Sequence, residues 1–367
     1  MSIEPPPTTP SSPSARFFPC KQCGAKLQYE PGTTVLKCPY CSAENVIEVT
    51  DEPAREQDFE SALARLSGAA PAASVDTVQC NGCRAVLTLA PNITSLACPF
   101  CGTNIVNQGR ATSLILPDCV LPFMIARAKA EEAYRKWIKS RWFAPSKLKS
   151  QSLLDAALKG IYLPAWTYDC DTNTVYSGQR GDAYYVSVTV MVNGKPQVRQ
   201  ERRIRWTPVS GNVFVRFDDV LVMASKTLPR DLTEKLQPWD LKTALPYKDD
   251  FLAGFTAECY QTDLKHGFGE AQQKMAPEID QAIREDIGGD EQRISSKSPR
   301  YSRITFKHIL LPVWVSTYRF GGKLYQFLIN ARTGEVQGQR PWSAWKIAGV
   351  VVAGLAVIGL VVFLFSR

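Results

Sequence analysis

Cys20-Lys21-Gln22-Cys23 … Cys38-Pro39-Tyr40-Cys41 is a C-x2-C-x14-C-x2-C run. Sixty residues on, Cys80-Asn81-Gly82-Cys83 … Cys98-Pro99-Phe100-Cys101 repeats the spacing. Four thiolates spaced this way suit tetrahedral zinc. The short gaps make knuckles that aim two sulfurs at one ion. The long gap holds a strand, a turn and a returning strand. In each second knuckle a proline fixes φ, and Ser42 or Gly102 follows where the turn needs a small residue. Cys20, Cys23, Cys38, Cys41, Cys80, Cys83, Cys98 and Cys101 are therefore read as the ligands of two structural zinc ions. The expected fold is multidomain, opening with two small β zinc ribbons over residues 17–49 and 77–109.

The competing reading of eight cysteines is a disulfide framework, which needs an oxidising compartment. Residues 1–16 are rich in Pro, Ser and Thr and have neither a basic nor an apolar signal-peptide region, so they read as a disordered lead-in. Cys119, Cys170 and Cys259 are isolated and odd in number, as expected of buried thiols in a reducing cytosol.

The other end of the chain has a different character. Ile347 to Phe365 carries no charge, and Trp342 and Trp345 stand just before it, flanked by Arg340 and Lys346. Nineteen residues of helix span about 28 Å, close to the core of a bilayer. Residues 342–367 are read as a C-terminal transmembrane tail anchor. The flanking bases keep the rest of the chain on the cytoplasmic face of a membrane.

Between these ends lie a connector at 50–76 and a domain at 110–341. Glu52 to Leu66 is acidic and then helical in pattern, and Ser67 to Ser74 is small and flexible, so the ribbons are expected to move independently. In the larger domain, Phe123 to Ile138, Leu153 to Lys159, Pro229 to Ala244 and Gly269 to Ile287 read as helices, the last with a break at Pro277. Tyr184 to Val192 and Gln197 to Trp206 read as a hairpin around Asn193-Gly194. Asn212 to Met223, Ile304 to Arg319, Lys323 to Asn330 and Glu335 to Gln339 add strands, giving an antiparallel α+β domain. An internal echo, K-x-I-x-L-P-x-W, occurs at Lys159 to Trp166 and again at Lys307 to Trp314. Its two copies are expected to pair in one sheet or to mark a duplicated half-domain, with the tryptophans as core anchors.

The formal charge of +8 is unevenly placed. Residues 1–110 carry net −2 and residues 111–367 net +10. A zinc-bound four-thiolate centre adds formal −2, so the ribbon half lacks the basic stripe expected of a phosphate-gripping surface. The basic excess includes Arg199, Arg202, Arg203 and Arg205, which read either as a surface suited to anionic headgroups or as a solvated strand face. Catalytic signatures are missing: no phosphate-binding G-x-x-x-x-G-K-[S/T], no G-x-S-x-G, no H-E-x-x-H. His266 and His308 fall outside any metal spacing. Asp169 with Asp171, and Asp218 with Asp219, read as turn carboxylates.

Several blocks together resemble a bacterial family of membrane-anchored double-zinc-ribbon proteins. They are the two ribbons, Gly160 to Asp169, Leu311 to Trp314, Ile329 to Val336 and Gly338 to Lys346. Names for that family run to "TFIIB-type zinc ribbon-containing protein" and "primosomal protein N′ (replication factor Y), superfamily II helicase". The helicase activity does not carry over, since the ATPase motifs are missing. The resemblance implies a non-enzymatic adaptor at the cytoplasmic membrane in envelope stress. Its partners would be cytosolic or membrane-associated proteins of the SPFH/virion-core or phage-shock type. The apolar residues Val35, Leu36, Ile93 and Leu96 would offer the docking face. The alternatives are a nucleic-acid-binding module linked to replication or transcription, and an enzyme in the α+β domain acting through Asp169 or Asp218.

Overall fold

The computed structural model describes residues 18–49, 55–67, 74–88, 95–106, 110–113, 115–145, 158–192 and 195–365. The expected N-terminal lead-in, residues 68–73 of the Ser67 to Ser74 linker, the Asn193-Gly194 turn and all but the end of the expected Leu153 to Lys159 helix lie outside them. Lys159 itself opens a strand.

The first ribbon is a sheet of β1 (Gln28–Tyr29), β2 (Val35–Lys37) and β3 (Glu44–Val46). The connector then forms β4 (Gln57–Asp58) and α1 (Phe59–Ser67). β5 (Ser74–Gln79), β6 (Val86–Thr88), β7 (Ser95–Ala97), β8 (Asn104–Val106) and β9 (Arg110–Ser113) make up the second ribbon, which reaches beyond 77–109 at both ends. The larger domain begins with β10 (Cys119–Val120), α2 (Arg127–Ser140), β11 (Lys159–Val192) and β12 (Lys195–Met223). It continues with α3 (Arg230–Glu234), β13 (Leu245–Pro246), β14 (Thr256–Ala257) and α4 (Leu264–Ile287). It closes with β15 (Glu291–Phe320), β16 (Lys323–Asn330), β17 (Val336–Gly338) and the tail helix α5 (Ala344–Phe365).

Two expectations about helices fail. Pro229 to Ala244 yields only α3 and a 3-10 turn at Leu241–Thr243, because Pro238 removes an amide that a helix there would need. The helix expected to break at Pro277 runs unbroken for 24 residues as α4. Its apolar stripe of Phe268, Ala271, Met275, Ile279, Ile283 and Ile287 is buried on the sheet, and that packing outweighs one lost backbone hydrogen bond.

Three strands of 34, 29 and 30 residues dominate the sheet. They are far longer than the sequence pattern implies. Prolines 164, 208, 299 and 312 lie inside them, and the stretch Gln292 to Arg303 is polar. Pairing on β11 holds these residues extended.

The echo is a real duplication. Its two copies pair antiparallel, with Leu163 opposite Leu311, Ile161 opposite Val313 and Ala165 opposite Ile309. Adding 148 to every number of the first copy gives the second, so a local two-fold axis passes between Leu163 and Leu311. The surroundings obey it. Ile161 and Tyr162 pair in parallel with β14, and Ile309 and Leu310 pair in parallel with β10. Ala224 N–H donates to Pro164 O at 3.0 Å, and Ala331 N–H to Pro312 O at 3.1 Å. The indole N–H of Trp166 donates to Thr262 O at 2.9 Å, and that of Trp314 to Ile125 O at 2.8 Å. Each tryptophan thus clamps the residue just ahead of a helix, α4 or α2, onto the sheet. The repeated unit is strand–helix–strand–strand, and each half lends its first short strand to the other half.

The tail helix is apolar and exposed along its length, and it is long enough to cross a bilayer. Its base is held against the end of α2: Ser343 N–H donates to Phe143 O, and Lys346 Nζ to the carbonyls of Trp142 and Ala144.

Candidate metal centres

Each ribbon is built from two copies of one knuckle. The fourth residue after the first cysteine returns its N–H to that cysteine's carbonyl: Gly24 to Cys20, Ser42 to Cys38, Arg84 to Cys80 and Gly102 to Cys98, at 2.8 to 3.0 Å. The turn requires a left-handed residue there, and φ is +72°, +60°, +62° and +76° in the same order. The expected small residue after the second knuckle is present in both ribbons. Arg84 is the departure, a long side chain in a conformation that costs about 1–2 kcal/mol.

The sulfurs converge. Within each set of four, all ligand atoms lie within 4.8 Å of one another. Cys20 Sγ is 3.6 Å from Cys41 Sγ, and Cys23 Sγ is 3.5 Å from Cys38 Sγ; the matching distances in the second ribbon are both 3.6 Å. Sulfurs around tetrahedral zinc stand about 3.8 Å apart, given Zn–S bonds of ~2.3 Å. All eight are free thiols rather than disulfides. Backbone N–H groups of Cys41 and Tyr40 pull the Cys38 thiol down to about 6 against burial, and those of Cys23 and Gln22 lower Cys20. The knuckle amides thus favour the thiolate that a metal needs. Four cysteines leave no open coordination position, so both centres are structural.

Residues 77–106 match the family model described as the FORGETTER1 first zinc ribbon domain. The second module is a zinc ribbon. With its twin at Cys20 to Cys41 it makes this a double zinc-ribbon chain with two structural zinc sites. A curated relative, "Uncharacterized protein YdjG" of Bacillus subtilis (strain 168), is 26% identical over 247 residues, 65% of this chain and 68% of that protein. No solved structure matches.

The ribbons do not hang free, contrary to the expectation from the connector. Cys20, Leu27, Tyr29, Leu36 and Cys38 lie in one apolar cluster with Phe123, Tyr162, Phe251 and Trp314. Tyr29 N–H donates to Ala253 O, and Gly32 N–H to Phe123 O. Val78, Cys80, Leu87, Cys98 and Phe100 of the second ribbon lie in another with Ile161, Leu163, Ile309 and Leu311. The connector is anchored too. β4 pairs with Thr305 and Phe306 of β15, and Phe59 packs on Tyr168 and Phe268. Leu36, expected on a docking face, is buried under its own domain; Ile93 lies outside the described residues.

Glu258 sits at the second ribbon's seat, where it bridges Leu87 and its neighbour Cys259 donates to Val86 O. Burial pushes its carboxyl up to about 7, although the Thr227 and Ser225 hydroxyls pull it down. The fold therefore binds a proton that the unfolded chain, with a carboxyl near 4.5, releases. This contribution is complete below about pH 4.5 and is lost as pH rises through 7. Glu258→Gln is expected to leave stability unchanged at pH 4 and to raise it by about 3 kcal/mol at pH 8, measured by urea unfolding at both values. An equal effect at both would remove the buried carboxyl as its cause.

The carboxylates expected in turns lie at strand bulges instead. Asp171 is buried against Arg216, at 3.0 Å, and Arg303. Asp219, at φ +53°, gives its N–H to Asp169 and pairs with Lys307 at 2.8 Å. Lys307 also reaches Glu56 of the connector at 3.3 Å. Burial and the neighbouring Glu56 raise Asp169 to about 7. These groups pin the connector to the sheet. His308 is buried against Trp166, with burial lowering it to about 4.

Proposed function

We propose that the chain is a non-enzymatic adaptor. In this reading α5 anchors it in a bilayer, the zinc centres stiffen a duplicated sheet domain, and that domain draws a soluble protein to the membrane. The observation that carries it is α5, an exposed apolar helix braced at its base by Ser343 and Lys346. The closed coordination of both centres supports a role in folding rather than reaction. The resemblance noted above supports a reading in which the chain works at the inner face of a bacterial membrane with protein partners. Nucleic-acid binding is the second reading: the arginines of β12 favour it and the charge of the ribbons opposes it.

The test compares cells carrying the full chain with cells carrying one cut after Pro341. The full chain is expected in the membrane fraction after a high-salt wash, and the cut chain in the cytosol. At least one soluble protein should move between fractions with it, with nuclease present. A full chain that stays soluble would sink the anchor. An anchored chain that moves nothing but nuclease-sensitive material would sink the adaptor.

A further inference from the structure

β15 begins at Glu291, opposite Gly181. β11 and β12 continue together beyond that point, from the pair Asp182–Arg205 to Val192–Lys195. Eleven pairs at about 3.4 Å each make an arm roughly 35 Å long. The arm and the base of the tail helix lie toward opposite ends of β11. Tyr318, which packs near the base of α2, lies past the Lys159 end of β11, whereas the arm is its other end.

A two-stranded ribbon has two edges, and both are open here among the described residues. They differ in chemistry. The β11 edge starts beside Asp182, Asp290 and Glu291, and Asp290 already accepts from Ala183 N–H at 2.7 Å. The β12 edge from Lys195 to Trp206 carries five basic residues and one acid, Glu201. Strand alternation puts Lys195, Arg199, Glu201, Arg203 and Arg205 on one face, where Glu201 pairs with Arg203 at 3.3 Å and the row stays net basic. The other face carries Val198, Arg202 and Ile204, joined across the pair by Tyr185 and Met191. Val198, Met191 and Tyr185 are 74%, 69% and 65% exposed.

We propose that the outer edge of β12 between Lys195 and Trp206 takes up an acidic polypeptide segment as an added strand. This rests on the adaptor reading and names its docking surface. Backbone hydrogen bonds would supply affinity. Residues of the added strand stand about 5 Å from their β12 neighbours, so alternate carboxylates meet the Arg199, Arg203 and Arg205 row. Its intervening apolar side chains meet Val198 and Ile204. A second copy of the arm is a poor occupant, because like charges would face each other; charged edges are a common guard against self-pairing.

The probe is a fluorescent twelve-residue peptide alternating Glu and Val, titrated into the full chain in detergent micelles. Its controls are the same peptide N-methylated at every second residue, in either register, and a twenty-base-pair DNA duplex. The peptide is expected to bind. Arg199→Glu/Arg203→Glu/Arg205→Glu, all surface changes, should weaken it at least tenfold. N-methylation in the register that blocks pairing should do the same. Equal binding of both N-methylated forms, no peptide binding, or tighter binding of the duplex would overturn the proposal. If the peptide fails while a soluble protein still follows the full chain to the membrane, the adaptor reading stands and only the docking edge falls. If the peptide binds and nothing is recruited, the edge stands and the adaptor reading falls.

Discussion

Removal of zinc is expected to unfold the sheet domain as well as the ribbons. A four-cysteine site contributes folding free energy of about 10–16 kcal/mol in isolated zinc modules. That is as large as the whole stability of an ordinary domain. Were the ribbons tethered beads, chelation would spare the rest of the chain. Instead Cys80, Leu87, Cys98 and Phe100 share an apolar cluster with Ile161, Leu163, Ile309 and Leu311, which flank the two-fold axis. Unfolding that ribbon exposes the centre of the sheet. Cys80→Ser/Cys83→Ser should therefore lower the thermal midpoint of the sheet by more than about 10 °C, at roughly 2–4 °C per kcal/mol for a domain of this size. Near-UV circular dichroism follows the buried tryptophans, and metal analysis should find two zinc ions per chain. A chelator should strip the first ribbon sooner, since Cys23 and Cys41 are exposed and no ligand of the second ribbon is. An unchanged near-UV spectrum in the zinc-free chain would show that the ribbons dock without supporting the sheet.

The second large effect is expected at the paired tryptophans. Trp166 is 0% exposed and Trp314 6%. Truncating either to alanine opens a cavity worth about 3–5 kcal/mol. It also strands the carbonyl of Thr262 or Ile125, for about 1–3 kcal/mol more. Because the two sites are related by the two-fold axis, Trp166→Ala and Trp314→Ala should destabilise by similar amounts. Phenylalanine at either position should recover most of the loss and leave the hydrogen-bond part. Urea unfolding with an unchanged m-value measures this. A loss below about 1 kcal/mol at one site and a full loss at the other would mean that the echo is repeated in sequence without a repeated load.

Much of the candidate site was legible. Cysteine spacing is local, and a knuckle is closed by hydrogen bonds within five residues, so the sequence names its ligands without knowing the fold around them. Nineteen uncharged residues at the tail are equally local. The echo was visible as letters, and its tryptophans were readable as core anchors because a large ring with one polar atom is stable where that atom finds a partner. The long strands were not legible. Gln292 to Arg303 has no alternating apolar pattern; it is extended because β11 supplies hydrogen bonds along it. Pro164 and Pro312 argue against strand by propensity, yet each uses its carbonyl in a symmetry-related bond.

By itself the sequence determined what depends on neighbours along the chain: eight zinc ligands, a tail helix fit for a bilayer, and a repeated motif. Tertiary structure decided what depends on residues far apart. It joined the repeats across a two-fold axis, seated both ribbons on the sheet, and set Asp169 and Asp219 beside Lys307 and Glu56. It also ended β15 at Glu291, leaving β11 and β12 to run on as a basic arm. Burial and strand pairing are long-range quantities: a leucine such as Leu36 reads as a free loop residue until the surface that covers it has folded.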